Sequence, residues 1–178
     1  MKMNRIFTVA IVTLSFALFG FGLTSVIQKK VKKEVVKIFH VEDFKLKPIL
    51  VSTALNEMLP AKISSDNFYS LSKNEELLGY IFVDQASSKT AKFDYLVVFN
   101  EELEIVSSKV LIYREEYGGE IGSTRWLKQF LGKTGGDRVS MKSNIDAISG
   151  ATISVRSMTI AMDNLLQTIG LLQENKIL

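Results

Sequence analysis

The sequence predicts an α+β fold, an antiparallel sheet packed with helices, preceded by one N-terminal transmembrane helix. Three observations carry this. Residues 6–27 hold no charged side chain. Between residues 68 and 113, four short runs rich in aromatic and β-branched residues are separated by polar turns. The connection between the last two is too short for the crossover that parallel strands need. Beyond residue 154, apolar residues recur at three- and four-residue spacing, the period of a helix with one buried face. Strands grouped together, with helices before and after, are the α+β arrangement.

In chain order, residues 6–27 come first. About 22 residues span about 33 Å as a helix, enough to cross a bilayer. No small-x-small cleavage pattern stands before Gln28, so residues 1–28 read as an uncleaved membrane anchor, with a cleaved signal peptide as the second reading. Residues 29–47 are charge-rich with Val31, Val35, Val36, Ile38 and Phe39 between the charges, which suits a stalk that is helical at first. The folded domain then occupies residues 48–178. Pro48 fits a helix start, with Ile49, Leu50, Leu55, Met58 and Leu59 as its buried face and Pro60 as its stop. Strands follow at residues 68–72, 77–83, 93–99 and 105–113, with Lys73, Asn74 and Glu75 forming one turn and residues 87–90 a loop. Residues 115–122 form a loop containing Gly118, Gly119 and Gly122. Ser123 can cap a helix over residues 124–131 that ends at Gly132. The last helix carries Val155, Met158, Ile160, Ala161, Met162, Leu165, Leu166 and Ile169, with Ser154 as its N-cap and Gly170 interrupting its far end.

Composition narrows the chemistry. With no cysteine there is no disulfide, thiolate nucleophile, Cys-ligated zinc or iron–sulfur centre. His40 is the single histidine; it builds no multi-histidine metal site and reads as a surface residue. Six basic residues precede the first acid, Glu34, leaving 22 − 6 = 16 basic against 19 acidic ones, a net of −3 beyond them. The folded part is mildly acidic, with no basic stripe interleaved with aromatics, which argues against nucleic acid as a partner. Gly132, Lys133 and Thr134 imitate the end of a P-loop, but Leu127 stands where its first glycine belongs. Lys128, Lys133 and Arg138 form a modest cluster that reads as solvated surface.

The stretch with the most chemical content is Asp146-Ala-Ile-Ser149-Gly150-Ala151-Thr152-Ile-Ser154. Small residues lead into Thr152 just ahead of a helix, where free N–H groups and the dipole favour negative charge. Asp-x-x-Ser-Gly-Ala-Thr resembles the flavinylation motif of FMN-binding domains, as in the C subunit of sodium-pumping NADH:quinone oxidoreductase and the G subunit of Rnf-type complexes. The resemblance spans residues 80–166 and implies that a flavin transferase, using FAD and magnesium, esterifies FMN to Thr152. It implies that Ser149, Gly150, Ala151 and Ser154 surround the attachment point and that Asp146 serves recognition by the transferase or contacts its metal during the transfer. Glu116, Tyr117, Gly118 and Gly119 echo the family's Glu-Thr-Pro-Gly loop, without its threonine and proline. Trp126 and Phe130 stand where the family carries an aromatic helix face, and with Tyr113 and Tyr117 they are the candidates for a flat wall against the flavin.

Two function classes follow. One is a membrane-anchored electron-transfer flavoprotein, passing electrons between redox partner proteins. The other is an unflavinylated assembly subunit of a membrane complex on the same scaffold. No catalytic acid–base pair for a small substrate is evident, and the sequence names no metal ligands. Two basic residues precede the apolar span and four follow it, which weakly favours a cytoplasmic domain. The resemblance implies the extracytoplasmic side, where this family receives its flavin.

Overall fold

A computed structural model of the chain describes residues 23–178. Five strands form one antiparallel sheet in the order β1-β2-β3-β4-β5, each paired with its sequence neighbour. They are β1 (Lys45–Pro48), β2 (Phe68–Lys73), β3 (Glu76–Ser87), β4 (Lys92–Phe99) and β5 (Ile105–Ile112). The helices are α1 (Ser25–Phe39), α2 (Thr53–Met58), α3 (Thr124–Leu127) and α4 (Thr152–Glu174), with 3-10 turns at Gly119–Gly122 and Lys128–Phe130. The predicted α+β class is the class found. All four predicted strands are present, within a few residues of their expected ends.

The strands form where alternation and turn chemistry agree. Between β2 and β3, Asn74 and Glu75 both take positive φ, 50° and 71°, the mirror-image turn whose twist matches a two-residue hairpin. β4 is apolar on both faces because both are covered. Tyr95, Val97 and Phe99 face one core with Phe68 and Phe82, while Leu96 and Val98 face a second with Tyr69, Leu71, Ile81 and Val83.

α4 covers the first face. Val155, Met158, Met162, Leu165, Leu166 and Ile169 are all fully buried, at the spacing of one helical stripe. Truncating one such leucine to alanine costs about 2–5 kcal/mol. The helix starts three residues earlier than predicted and runs straight through Gly170 to Glu174. Gly170 is no interruption. A Cβ there would stand 2.7 Å from the Gly135 carbonyl oxygen, so the glycine is where a loop backbone crosses the helix.

Three other expectations give way near the N-terminus. Pro48 ends β1 and starts no helix: β1 is an edge strand, where a residue without an N–H is tolerated. α2 begins at Thr53, capped by Ser52 Oγ, which accepts from the Leu55 amide at 3.3 Å. Leu50 and Met58, assigned to a buried face, are 75% and 68% exposed. Pro60 does lie just past the helix end. Residues 29–47, expected as a stalk helical at first, do begin in a helix, but they supply most of α1 and part of the sheet and pack on the domain. Ile27, Val31 and Val35 recur every fourth residue and pack on the second face of the sheet. Glu34 adds a polar lock, accepting from Lys109 Nζ at 2.9 Å and from Ser107 Oγ at 3.2 Å on β5.

The apolar segment at residues 6–27 lies outside the described residues except for its last five. Among the described residues no helix is long and apolar enough to cross a membrane. His40 is exposed, as predicted, and closes α1 in a left-handed conformation.

Candidate functional site

The start of α4 is built by the segment before it. Ile145 is buried in the core. The Asp146 backbone is gripped from both sides by α3 and its extension: Trp126 Nε1 donates to its carbonyl at 2.7 Å, and its amide donates to Gln129 Oε1 at 2.8 Å. The chain then turns at Gly150, whose φ of 82° suits a residue without Cβ. A Cβ at Gly150 would meet nothing within 4 Å, so the turn opens onto solvent. Ala151, buried, is the N-cap, and Thr152 is the first helical residue.

Ser154 is not the cap that the sequence predicts. It lies in the first turn, 3% exposed, because its hydroxyl is 3.0 Å from Tyr113 Oη at the end of β5. Tyr113 Oη donates to the Tyr117 carbonyl at 3.1 Å, which leaves the Ser154 hydroxyl as the donor between the two. Ala151 supplies no capping side chain, so the amides of Thr152, Ile153 and Ser154 have no intrahelical acceptor. Three N–H groups and the dipole therefore converge where Thr152 is exposed.

A cleft of about 760 Å³ opens here, within the range of small-molecule and cofactor sites. Lys89 and Thr90 of the β3–β4 loop form one wall, Tyr113, Arg114, Glu115, Glu116 and Tyr117 another, and residues 150–154 the floor. Glu116, Tyr117, Gly150, Ala151, Thr152 and Ser154, all singled out in the sequence, line this one cleft. Gly118 sits directly behind: a Cβ there would stand 2.7 Å from Tyr113 Oη and 3.6 Å from Ala151.

Asp146, Ser149 and Trp126 are not among the cleft-lining residues. Asp146 and Ser149 are exposed outside it. Trp126 is 4% exposed and packs edge-on to Phe130 at 5.1 Å, so of the four candidate wall aromatics only Tyr113 and Tyr117 line the cleft. Trp126 acts on the motif from behind, through the Asp146 carbonyl. Arg138 of the basic cluster pairs with Asp163 on α4 at 2.7 Å.

The cleft's charges are sorted by their partners. Arg114 is committed to Asp94 and to the Lys92 carbonyl, the latter at 2.7 Å. Glu115 Oε1 accepts from Ser88 Oγ, Thr90 and Ala91. The Ser88 hydroxyl, then the Thr90 amide, hold its carboxyl down to about 2 from the ordinary 4.5. Lys89 is exposed and makes no ion pair or hydrogen bond among the described residues. The sequence reading passed over Lys89, Thr90, Arg114, Glu115 and Ile153 as site residues. Their only local signal was the proximity of Arg114 and Glu115 to the glycine loop.

Residues 89–167 match the model of the FMN-binding domain family, a stretch that begins at the first residue of the cleft and ends within α4. No curated protein matches the chain.

Proposed function

From the premise that this chain carries an FMN-binding domain at residues 89–167, we propose that it is an electron-transfer flavoprotein with FMN esterified to Thr152. The observation that carries the reading is the exposed Thr152 hydroxyl, at the uncapped start of α4, on the floor of the cleft. The residues present fit the cofactor. A phosphodiester on Thr152 keeps one negative charge, which the free amides of the first turn stabilise by roughly 0.3–1 kcal/mol when exposed. The open space at Gly150 leaves room for a second large molecule to approach the hydroxyl.

In the attachment step a bond forms between Thr152 Oγ and the flavin phosphorus of FAD. The pyrophosphate P–O bond breaks, AMP leaves, and the hydroxyl proton passes to the transferase or to water. Asp146, exposed on the approach to the motif with its backbone fixed by Trp126 and Gln129, is placed to be read by that enzyme. FMN supplies one- and two-electron chemistry, and the protein supplies placement and shielding. Tyr117 and Ile153, 77% and 51% exposed beside the cleft, are the apolar surface available to a flat ring.

The anchor at residues 6–27 completes the proposal: a single-pass membrane protein with its domain on the extracytoplasmic side, relaying electrons between partner proteins. Protease added to sealed right-side-out membranes should then digest the domain, and full protection would contradict that orientation. The attachment is tested by peptide mass spectrometry on protein from cells that flavinylate other substrates. An increment of FMN minus water on the Thr152 peptide is expected, lost in Thr152→Ala with the fold unchanged by circular dichroism. An increment on Ser149 or Ser154 refutes the assignment. No increment at all supports the unflavinylated assembly subunit instead.

A further inference from the structure

The β3–β4 loop forms a wall of the cleft, yet its interior is held by one side chain from elsewhere in the chain. Its ends are secured independently. Ser157 of α4 donates to the Ser87 carbonyl, and Arg114 donates to the Lys92 carbonyl. Between them, Glu115 Oε1 takes Ser88 Oγ at 2.6 Å, the Thr90 amide at 2.6 Å and the Ala91 amide at 3.0 Å, with Thr90 Oγ1 at 3.2 Å. A single carboxylate oxygen thus gathers the loop across 24 to 27 residues of sequence. Lys89 lies in the middle of the gathered segment and lines the cleft with its charge unpartnered among the described residues.

We propose that Glu115 is a positioning residue: its carboxylate holds the β3–β4 loop in the shape that presents the Lys89 ammonium to a cofactor in the cleft. The proposal rests on the cleft being the FMN site. Glu115 itself need not touch the cofactor. Its loop partners are neutral donors, so its own negative charge persists; in the proposal the placing of Lys89 outweighs it, and the net effect on the cofactor has the sign of a positive charge. That sign is unusual for a carboxylate, and it makes the proposal testable. A cation on the wall favours the more negative, reduced form of a bound redox group, and an anion disfavours it. If Glu115 acted only through its own charge, removing it would raise the flavin potential. If it acts by placing Lys89, removing it lowers the potential, as removing Lys89 does.

The test has two independent readouts. In the unloaded protein, amide exchange at Thr90 and Ala91 followed by NMR should quicken about tenfold or more in Glu115→Ala, since hydrogen bonds to a charged acceptor are lost. In Glu115→Gln, which keeps an acceptor oxygen, the rise should be smaller. In the flavin-loaded protein, Lys89→Ala and Glu115→Ala should both shift the potential downward, with Glu115→Gln between Glu115→Ala and wild type. A potential raised in Glu115→Ala, or unchanged in Lys89→Ala, overturns the proposal, as does unaltered exchange at Thr90 and Ala91. Wild-type protein that carries no flavin overturns the cofactor reading, and Lys89's role with it; the clamp on the loop is then judged by exchange alone.

Discussion

Gly170 offers a prediction in which two effects of opposite sign compete. In the interior of an exposed helix, glycine to alanine is worth about 0.8–1.0 kcal/mol in propensity. Gly170 sits inside α4, so propensity alone says Gly170→Ala stabilises. The structure says otherwise. A Cβ at Gly170 would stand 2.7 Å from the Gly135 carbonyl oxygen and 3.4 Å from its carbon. That neighbour is backbone, and its loop is tied down where the Ile105 amide donates to the Lys133 carbonyl at 2.9 Å and the Thr134 amide to Asp137 Oδ2 at 2.8 Å. Overpacking of this kind costs typically about 1–3 kcal/mol. The net expectation for Gly170→Ala is a loss of about 1 kcal/mol, or about 2–4 °C in Tm for a chain of this size. Gly135→Ala should lose more, because its Cβ would meet Gly170 N at 2.6 Å and Cα at 2.8 Å with no helical gain to offset it. Gly136→Ala, whose Cβ meets nothing within 4 Å, is the control. Thermal melts of the three variants decide the matter. A more stable Gly170→Ala, or a Gly135→Ala that melts with Gly136→Ala, would show that the crossing is not a tight contact and sink the reasoning.

Leu165→Asp should destabilise the protein by several kcal/mol in urea titration, because it places an unpaired charge at a fully buried position on the α4 stripe; a wild-type midpoint would mean that the stripe is not core. Trp126→Phe removes the 2.7 Å bond to the Asp146 carbonyl and replaces a buried indole by a smaller ring, so stability should fall by about 1 kcal/mol or more and flavin occupancy at Thr152, measured by mass spectrometry, should fall with it. Glu115 has a depressed folded-state value, so its hydrogen bonds contribute fully above 4.5 and are lost as pH falls toward about 2; the Thr90 amide resonance should hold its place through 4.5 and move only on approach to about 2.

What was legible in the sequence depended on the range of the interaction that determines it. The strands at residues 68–73 and 92–99 announce themselves through their own residues and the turns beside them, and the α4 stripe through its period. The helix under the lysines was expected but its packing was hidden, because Ile27, Val31 and Val35 are outnumbered by the charges between them, and only a sheet face to pack against gives their spacing meaning. β1 was hidden because a four-residue edge strand buries no complete face, so it has no apolar signature to read. At the site, the motif residues were legible as a local string. The role of Ser154 was not, since its partner Tyr113 lies 41 residues away and only tertiary folding turns a plausible cap into a strut. Glu115 was invisible for the same reason.

The cover that α1 places on the sheet decides where the chain can be shortened. Leu71, Ile81, Leu96 and Val98 are each 0% exposed on the face that Ile27, Val31 and Val35 pack against. Each such side chain left in water forfeits about 1.5–3 kcal/mol. A version of the protein begun anywhere within residues 29–47, where the charges suggest a tether, would lose all or part of that cover and leave a contiguous apolar patch that invites aggregation. A cut made no later than Thr24 keeps all of α1, and the sheet then stays closed on both sides.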